Sequence, residues 1–218
     1  MRKRNNTVSS VFDKLADQYD AWFDEQGKIV FDIEVCALRS VLAYLPKPWL
    51  EIGVGSGRFA QVLEIETGVD PSIKLVEMAR HRGITAFLGR GEQELFDKES
   101  FGTVFLIVTL CFLGSPLEVL REANRILIPD GKIVLGLVLS ESPWGKLYQQ
   151  EKEEGHDFYR YATFYRCNEV VKLLVQAGFM TEKIVSTLFQ KPGEVHNMEQ
   201  PKEGFSPCAG FTVMMGAK

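Results

Sequence analysis

The chain alternates short apolar runs with stretches whose apolar residues recur every three or four positions. Runs of the first kind occupy Trp49–Ile52, Ile84–Leu88, Phe101–Leu113 and Ile133–Leu139. They carry little polar alternation, as strands buried on both faces of a parallel sheet do. Between them lie amphipathic segments. Ile73–Arg82 predicts one helix; Pro116–Ile128 predicts another, with Leu117, Leu120, Ala123, Ile126 and Leu127 on one face. Asn168–Ala177 predicts a third, stopped by Gly178. Met180–Gln190 and Phe211–Ala217 then read as a closing antiparallel pair. Strand and helix in this order predict a doubly wound α/β sheet.

Three segments fall outside that rhythm. Val8–Leu45 predicts helices over a sheet edge and ends at Pro46-Lys47-Pro48. Glu141–Tyr165 reads as an insertion rich in charge and aromatics, and Lys191–Gly210 as a long loop covering one edge of the sheet. The expected organisation is one domain over 1–218: a helical cap (1–48), a core (49–139), and an insertion with closing strands (140–218).

The densest chemistry lies where the first strand ends, at Glu51-Ile52-Gly53-Val54-Gly55-Ser56-Gly57-Arg58. Bare backbone at Gly53, Gly55 and Gly57 lets a ligand come close. The helix that follows offers unpaired N–H groups. A dinucleotide fingerprint would place its third glycine one residue later, where Arg58 stands, and no Gly-Lys-Ser/Thr ending of a phosphate loop is present. Asp70, in Thr67-Gly68-Val69-Asp70-Pro71-Ser72, falls at the tip of a second strand. From there a carboxylate points back over the first loop and can accept from both hydroxyls of a ribose. Ser72 can cap the next helix at the same time.

Glu51–Gly57 resembles the E/D-x-G-x-G-x-G signature of the class I S-adenosylmethionine-dependent methyltransferases. Gly89-Arg90-Gly91-Glu92-Gln93-Glu94-Leu95-Phe96 is similar to that family's G-D-A-E-x-L-P-F, and Glu122–Lys132 to its E-x-x-R-V-L-K-P-G-G segment. Val11–Asp20 resembles its opening F-x-x-x-A-x-x-Y-D. The resemblance implies a seven-stranded, mostly parallel Rossmann-like sheet with the last strand antiparallel and helices on both faces. It also implies S-adenosylmethionine as cofactor. Glu51, Gly53, Val54, Gly55 and Gly57 would then hold its methionine half. Asp70 would hold the ribose, Pro71 would lie near the adenine, and Glu92 with Gln93 would meet the adenine amino group. Ile107, near the end of the fourth strand, would contribute backbone, and Tyr19 would close over the cofactor. Glu122–Lys132 reads as structural.

Composition narrows the partners. A net charge of −4 argues against a nucleic-acid substrate. The basic stub Arg2-Lys3-Arg4 is short, and Leu110–Pro116 lacks the Asn/Asp-Pro-Pro-Tyr/Phe of the amino methyltransferases of nucleic acids. No apolar stretch reaches the ~20 residues of a membrane span. Cys36, Cys111, Cys167 and Cys208 are scattered, without metal-ligand spacing. The expectation is a cytoplasmic protein with no metal.

The acceptor should sit above the carboxyl ends of the strands. There the variable segments supply Trp22, Trp144, His156 and Tyr161, candidates for binding a small, partly apolar molecule. His156, His196 and Tyr161 have base chemistry, but no catalytic residue stands out. The expected function is methyl transfer to a small-molecule acceptor. A dinucleotide-dependent oxidoreductase and a cofactor-binding regulator without turnover are the alternatives.

Overall fold

The computed structural model describes residues 9–218. The stub Arg2-Lys3-Arg4 and the first residue of the predicted cap, Val8, lie outside the described residues. Strands β1 (Trp49–Ile52), β2 (Thr67–Asp70), β3 (Thr85–Leu88), β4 (Phe101–Ile107) and β5 (Leu127–Leu137) run parallel. The sheet is completed by β6 (Met180–Thr187), β7 (Lys202–Glu203) and β8 (Phe211–Ala217), giving the order β3-β2-β1-β4-β5-β8-β6-β7. β8 runs antiparallel to both β5 and β6.

The pleat divides side chains between two helical layers. Trp49, Phe105 and Ile107 face one way, Leu50, Ile52, Val104 and Leu106 the other. The first face is covered by α2 (Lys28–Arg39), α3 (Arg58–Leu63) and α4 (Ile73–His81), which follow the short α1 (Ala16–Trp22). The second is covered by α5 (Pro116–Ile126) and α7 (Cys167–Gln176). Between these two in the chain, α6 (Pro143–Glu153) fills the predicted insertion. Helices on both faces and the antiparallel β8 agree with the expectation. The strand count does not: there are eight strands among the described residues, not seven. The added β7 is two residues long and pairs Lys202 with Ser186 and Glu203 with Val185. Its exposed charged side chains give no apolar signature, so it was hidden inside the loop expected over Lys191–Gly210.

Boundaries shift where an apolar run outlasts its strand. β4 stops at Ile107 because Val108 turns left-handed at φ 51°, and the run continues through a 3₁₀ turn at Leu110–Phe112. β5 starts at Leu127, before the predicted Ile133, with Asp130 at φ 62° in an irregularity that carries the pairing from Leu127 to Lys132. Arg125 supports the structural reading of this segment. Its guanidinium donates to Glu122 and, at 2.6 Å, to the carbonyl of Phe96, tying α5 to the loop after β3.

Candidate functional site

β1 and β4 are neighbours whose following connections leave on opposite faces, so the sheet opens into a crevice above their carboxyl ends. The crevice is one continuous cleft of about 1130 Å³. That slightly exceeds the ~300–1,000 Å³ typical of a site for a single small ligand.

The glycine loop forms its floor. Gly53, Gly55 and Gly57 take φ values of 76°, 53° and 84°, a region that side chains disfavour. At Gly53 a Cβ would stand 2.4 Å from the Thr109 side chain. At Gly55 it would point at the Tyr19 hydroxyl, 3.4 Å away, so bare backbone faces a phenol across a gap. Gly57 serves a different purpose. Its Cβ would meet the Ala79 backbone at 3.0 Å, so this glycine lets α3 and α4 approach, and it does not line the cleft.

Asp70 closes β2 and lines the cleft at 8% exposure. Its Oδ2 accepts from the Gly55 N–H at 3.0 Å and its Oδ1 from the Ser72 N–H at 2.9 Å. Each oxygen keeps a further lone pair for a ligand. Burial pushes its pKa up to about 6, against the lowering effect of those two amides. Ser72 caps α4 by accepting from Leu75 N–H at 3.3 Å, so capping and a free Asp70 coexist.

Beneath the loop lies Glu51, 1% exposed, with Oε2 unpaired among the described residues. Burial first, and the field of Asp70 second, hold its carboxyl well above the ordinary range. Neither Glu51 nor Val54 lines the cleft. The Val54 side chain turns under the sheet, against Gly68 of β2. Pro71, Glu92 and Ile107 do line it, and Arg90 holds one Glu92 oxygen at 2.8 Å. Gln93 points away, accepting from the Arg90 N–H at 2.8 Å as a brace for its own turn.

Tyr19 hangs over the loop from α1. Its ring packs edge-on against Phe12 and Phe23, with centroids 5.5 and 5.4 Å away. Burial, then the charges of Asp70 and Glu51, drives its pKa up, so the phenol stays neutral. The next residue anchors it. Asp20 accepts from Arg58 Nε at 2.9 Å and Nη2 at 2.8 Å, and from Arg82 Nη2 at 2.7 Å. Arg82 also donates to the Ser56 carbonyl at 2.8 Å. Arg58, the residue that spoils the dinucleotide spacing, thus ties α1 to the glycine loop.

That cluster has a measurable pH signature. Burial disfavours the Asp20 anion, but the two guanidiniums outweigh it and hold the pKa at about 2, against 3.8 ordinarily. A carboxyl lowered in the folded state stabilises above its unfolded pKa, and the benefit is lost as pH falls from about 4 through about 2. Asp20→Asn should therefore cost about 2 kcal/mol at pH 7. It should also remove that share of the acid-induced loss between pH 4 and 2, read by urea unfolding at each pH. A variant as stable as the parent at pH 7 would deny the cluster this role.

The other end of the cleft is aromatic. Trp22, Trp144 and His156 line it, as expected, together with Tyr148, Phe158 and Tyr159. Trp144 donates from Nε1 to the Gln190 carbonyl at 3.0 Å. Tyr148 and His156 stack on Tyr159 at 4.2 and 4.5 Å, and His156 Nδ1 accepts from the Phe158 and Tyr159 amides. Tyr161 and His196 are not among the lining residues. Tyr161 ends the 3₁₀ turn Tyr159–Tyr161, and its ring carries the Arg160 guanidinium at 5.0 Å.

Sequence reasoning passed over Thr109 and Glu34. Thr109 follows the apolar run and gives little signal. Glu34 had one: it occupies a buried position of α2 beside Val30, Ile33, Ala37 and Leu38, where the helical period asks for a hydrophobe.

Comparison with known proteins agrees with this geometry. Residues 50–135 match a family model described as a methyltransferase domain. An uncharacterized protein of Methanocaldococcus jannaschii is 37% identical over 210 residues, 96% of this chain and 99% of the relative. An uncharacterized protein of Mycobacterium tuberculosis is 37% identical over 209 residues, 95% of this chain and 73% of its own length. Among solved structures, one from Thermotoga maritima superposes with a TM-score of 0.89 at 36% identity, covering 96% of this chain and 99% of the other. It is described as a SAM-dependent methyltransferase, "possible histamine N-methyltransferase".

Proposed function

Because this chain belongs to the class I S-adenosylmethionine-dependent methyltransferases, we propose that it methylates a small molecule held in the aromatic end of the cleft. The observation that carries the reading is continuity. One cleft joins the glycine loop and Asp70 to an aromatic chamber, with a volume suited to two ligands. The Thermotoga maritima protein's description, which names a small amine, supports a small acceptor. Cap, core and closing segments act as one catalytic unit in this reading.

The loop fits the cofactor. The backbone at Gly53 and Gly55 receives its amino-acid portion, and Tyr19 covers it. Asp70 takes the ribose hydroxyls on its spare lone pairs, while Pro71, Glu92 and Ile107 bound the adenine side. Glu51, Val54, Gly57 and Gln93 support the loop from behind. When bound, S-adenosylmethionine supplies an electrophilic methyl carbon on a positively charged sulfur. The protein's own task is alignment. Holding an acceptor atom in line at ~3 Å contributes several kcal/mol by itself. Trp22, Trp144 and His156 wall the acceptor, and the neutral Tyr19 keeps water off the loop.

Calorimetry with S-adenosylhomocysteine and with NAD tests the cofactor, and labelled methyl transfer across small amines and phenols tests turnover. Micromolar binding of the first nucleoside, none of NAD, and label in an acceptor are expected. NAD binding in its place overturns the proposal. Tight S-adenosylhomocysteine binding with no transfer to any acceptor overturns turnover and leaves a binding protein.

A further inference from the structure

Glu34 has no work to do in the fold. It is 5% exposed, in the middle of α2, and no hydrogen bond or ion pair joins it to any described residue. A buried carboxyl without a partner is costly, and the same position filled by Leu or Ala would simply pack. What Glu34 does have is an opening onto the cleft, among Trp22, Val30, Trp144 and Tyr148. Burial alone raises its pKa, to about 8.

The charge around it is one-sided. Glu151, Glu154 and Asp157 also line the aromatic end of the cleft. Among the described residues, no lysine lines the cleft at all. Among the described residues its sole arginine, Arg90, is paired with Glu92 near the glycine loop. A carboxyl beside aromatic rings is a setting that favours a cation, which draws the carboxyl into its ionised form and gains from the ion pair and from the ring quadrupoles together. A neutral group gains only a hydrogen bond there, and an anion is repelled.

Building on the methyltransferase reading, we propose that Glu34 is the counter-ion of a cationic amine on the methyl acceptor, which sits between this carboxylate and the surrounding rings. Glu34 thereby sets the class of acceptor: compact amines with an apolar body.

Three shape-matched probes test this: 2-phenylethylamine, 2-phenylethanol and phenylacetate. Each is titrated by calorimetry at about pH 8.5, where Glu34 is largely ionised and the amine still cationic, into protein already saturated with S-adenosylhomocysteine. The amine should bind at least tenfold more tightly than the alcohol, and phenylacetate should give no heat. In Glu34→Gln the amine and alcohol should fall within about threefold of each other, with S-adenosylhomocysteine affinity unchanged. Equal binding of amine and alcohol by the parent protein, no amine binding, or a preference that survives in the variant overturns the proposal. If the variant does not fold, the amine-to-alcohol ratio of the parent protein decides alone. Failure of the parent to bind S-adenosylhomocysteine would bring down the methyltransferase reading itself, a separable result.

Discussion

Asp70→Asn should weaken S-adenosylhomocysteine binding about a hundredfold and move the melting temperature by only a few degrees. The reasoning starts from the carboxylate's partners. Each oxygen already accepts one backbone amide, from Gly55 and Ser72, and each has capacity for one ribose hydroxyl. Bonds to a charged acceptor are worth about 1.5–3 kcal/mol each, so spoiling one side of the pair gives roughly two orders of magnitude. Stability changes less because two effects oppose. The amide loses one backbone bond but also relieves the burial that lifts Asp70 to about 6. The same value sets a pH signature. The ligand's hydroxyls need acceptors, and a protonated Asp70 presents a competing O–H. Parent affinity should be flat above pH about 6 and fall about tenfold per unit below it. Tyr19 stays neutral in that range. The Asn variant should show a flat profile. An Asn variant with parental affinity would remove Asp70 from the site.

The second large effect runs the other way. Glu34→Gln should stabilise the ligand-free protein at pH 8 and do almost nothing at pH 4.5. Glu34 titrates at about 8 in the fold, against about 4.3 in an unfolded chain. A carboxyl raised in this way keeps its proton when folded, while the unfolded chain has lost it. Stability therefore declines as pH climbs from about 4.3 to about 8, and levels off above that. The gap corresponds to at most ~5 kcal/mol. A glutamine amide is uncharged at both pH values, so most of that difference remains, about 3–4 kcal/mol, or roughly 6–15 °C in Tm for a chain of this size. Tyr19 on α1 and Tyr148 on α6, the groups that the charge of Glu34 itself acts on, are both uncharged throughout this range. Melting curves at the two pH values read the difference. A variant less stable at pH 8, or equally stabilised at both, would mean that Glu34 imposes no such burden.

What the chain revealed of itself follows from how local each feature is. Strand, glycine loop and helix are contiguous in sequence, so Gly53, Gly55 and Asp70 were legible from spacing alone, and the structure brings them together. The layered sheet was legible because buried parallel strands have no polar face to disguise them. Side-chain direction was less so. Val54 and Gln93 lie in the right loops yet turn away, since one packs on Gly68 and the other braces its own turn. Tyr161 is two residues from Tyr159, but only the latter faces the cleft. β7 escaped because its two residues, Lys202 and Glu203, are charged and exposed and carry no apolar pattern. Glu34 left a mark that went unread: an acid in a hydrophobic register is either a misfit or a binder, and periodicity cannot tell them apart.

Tyr19 and Asp20 are consecutive, so the ring over the loop and the clasp that fastens it share one helical turn. A shift of that turn moves both. On the proposed function, swinging α1 off the nucleoside would draw Asp20 away from two guanidiniums at once, and reclosing would restore both. In that reading the exit of spent cofactor would be bound to the making and breaking of an ion cluster, a step that dissolved salt would ease and the acceptor's own chemistry would not touch.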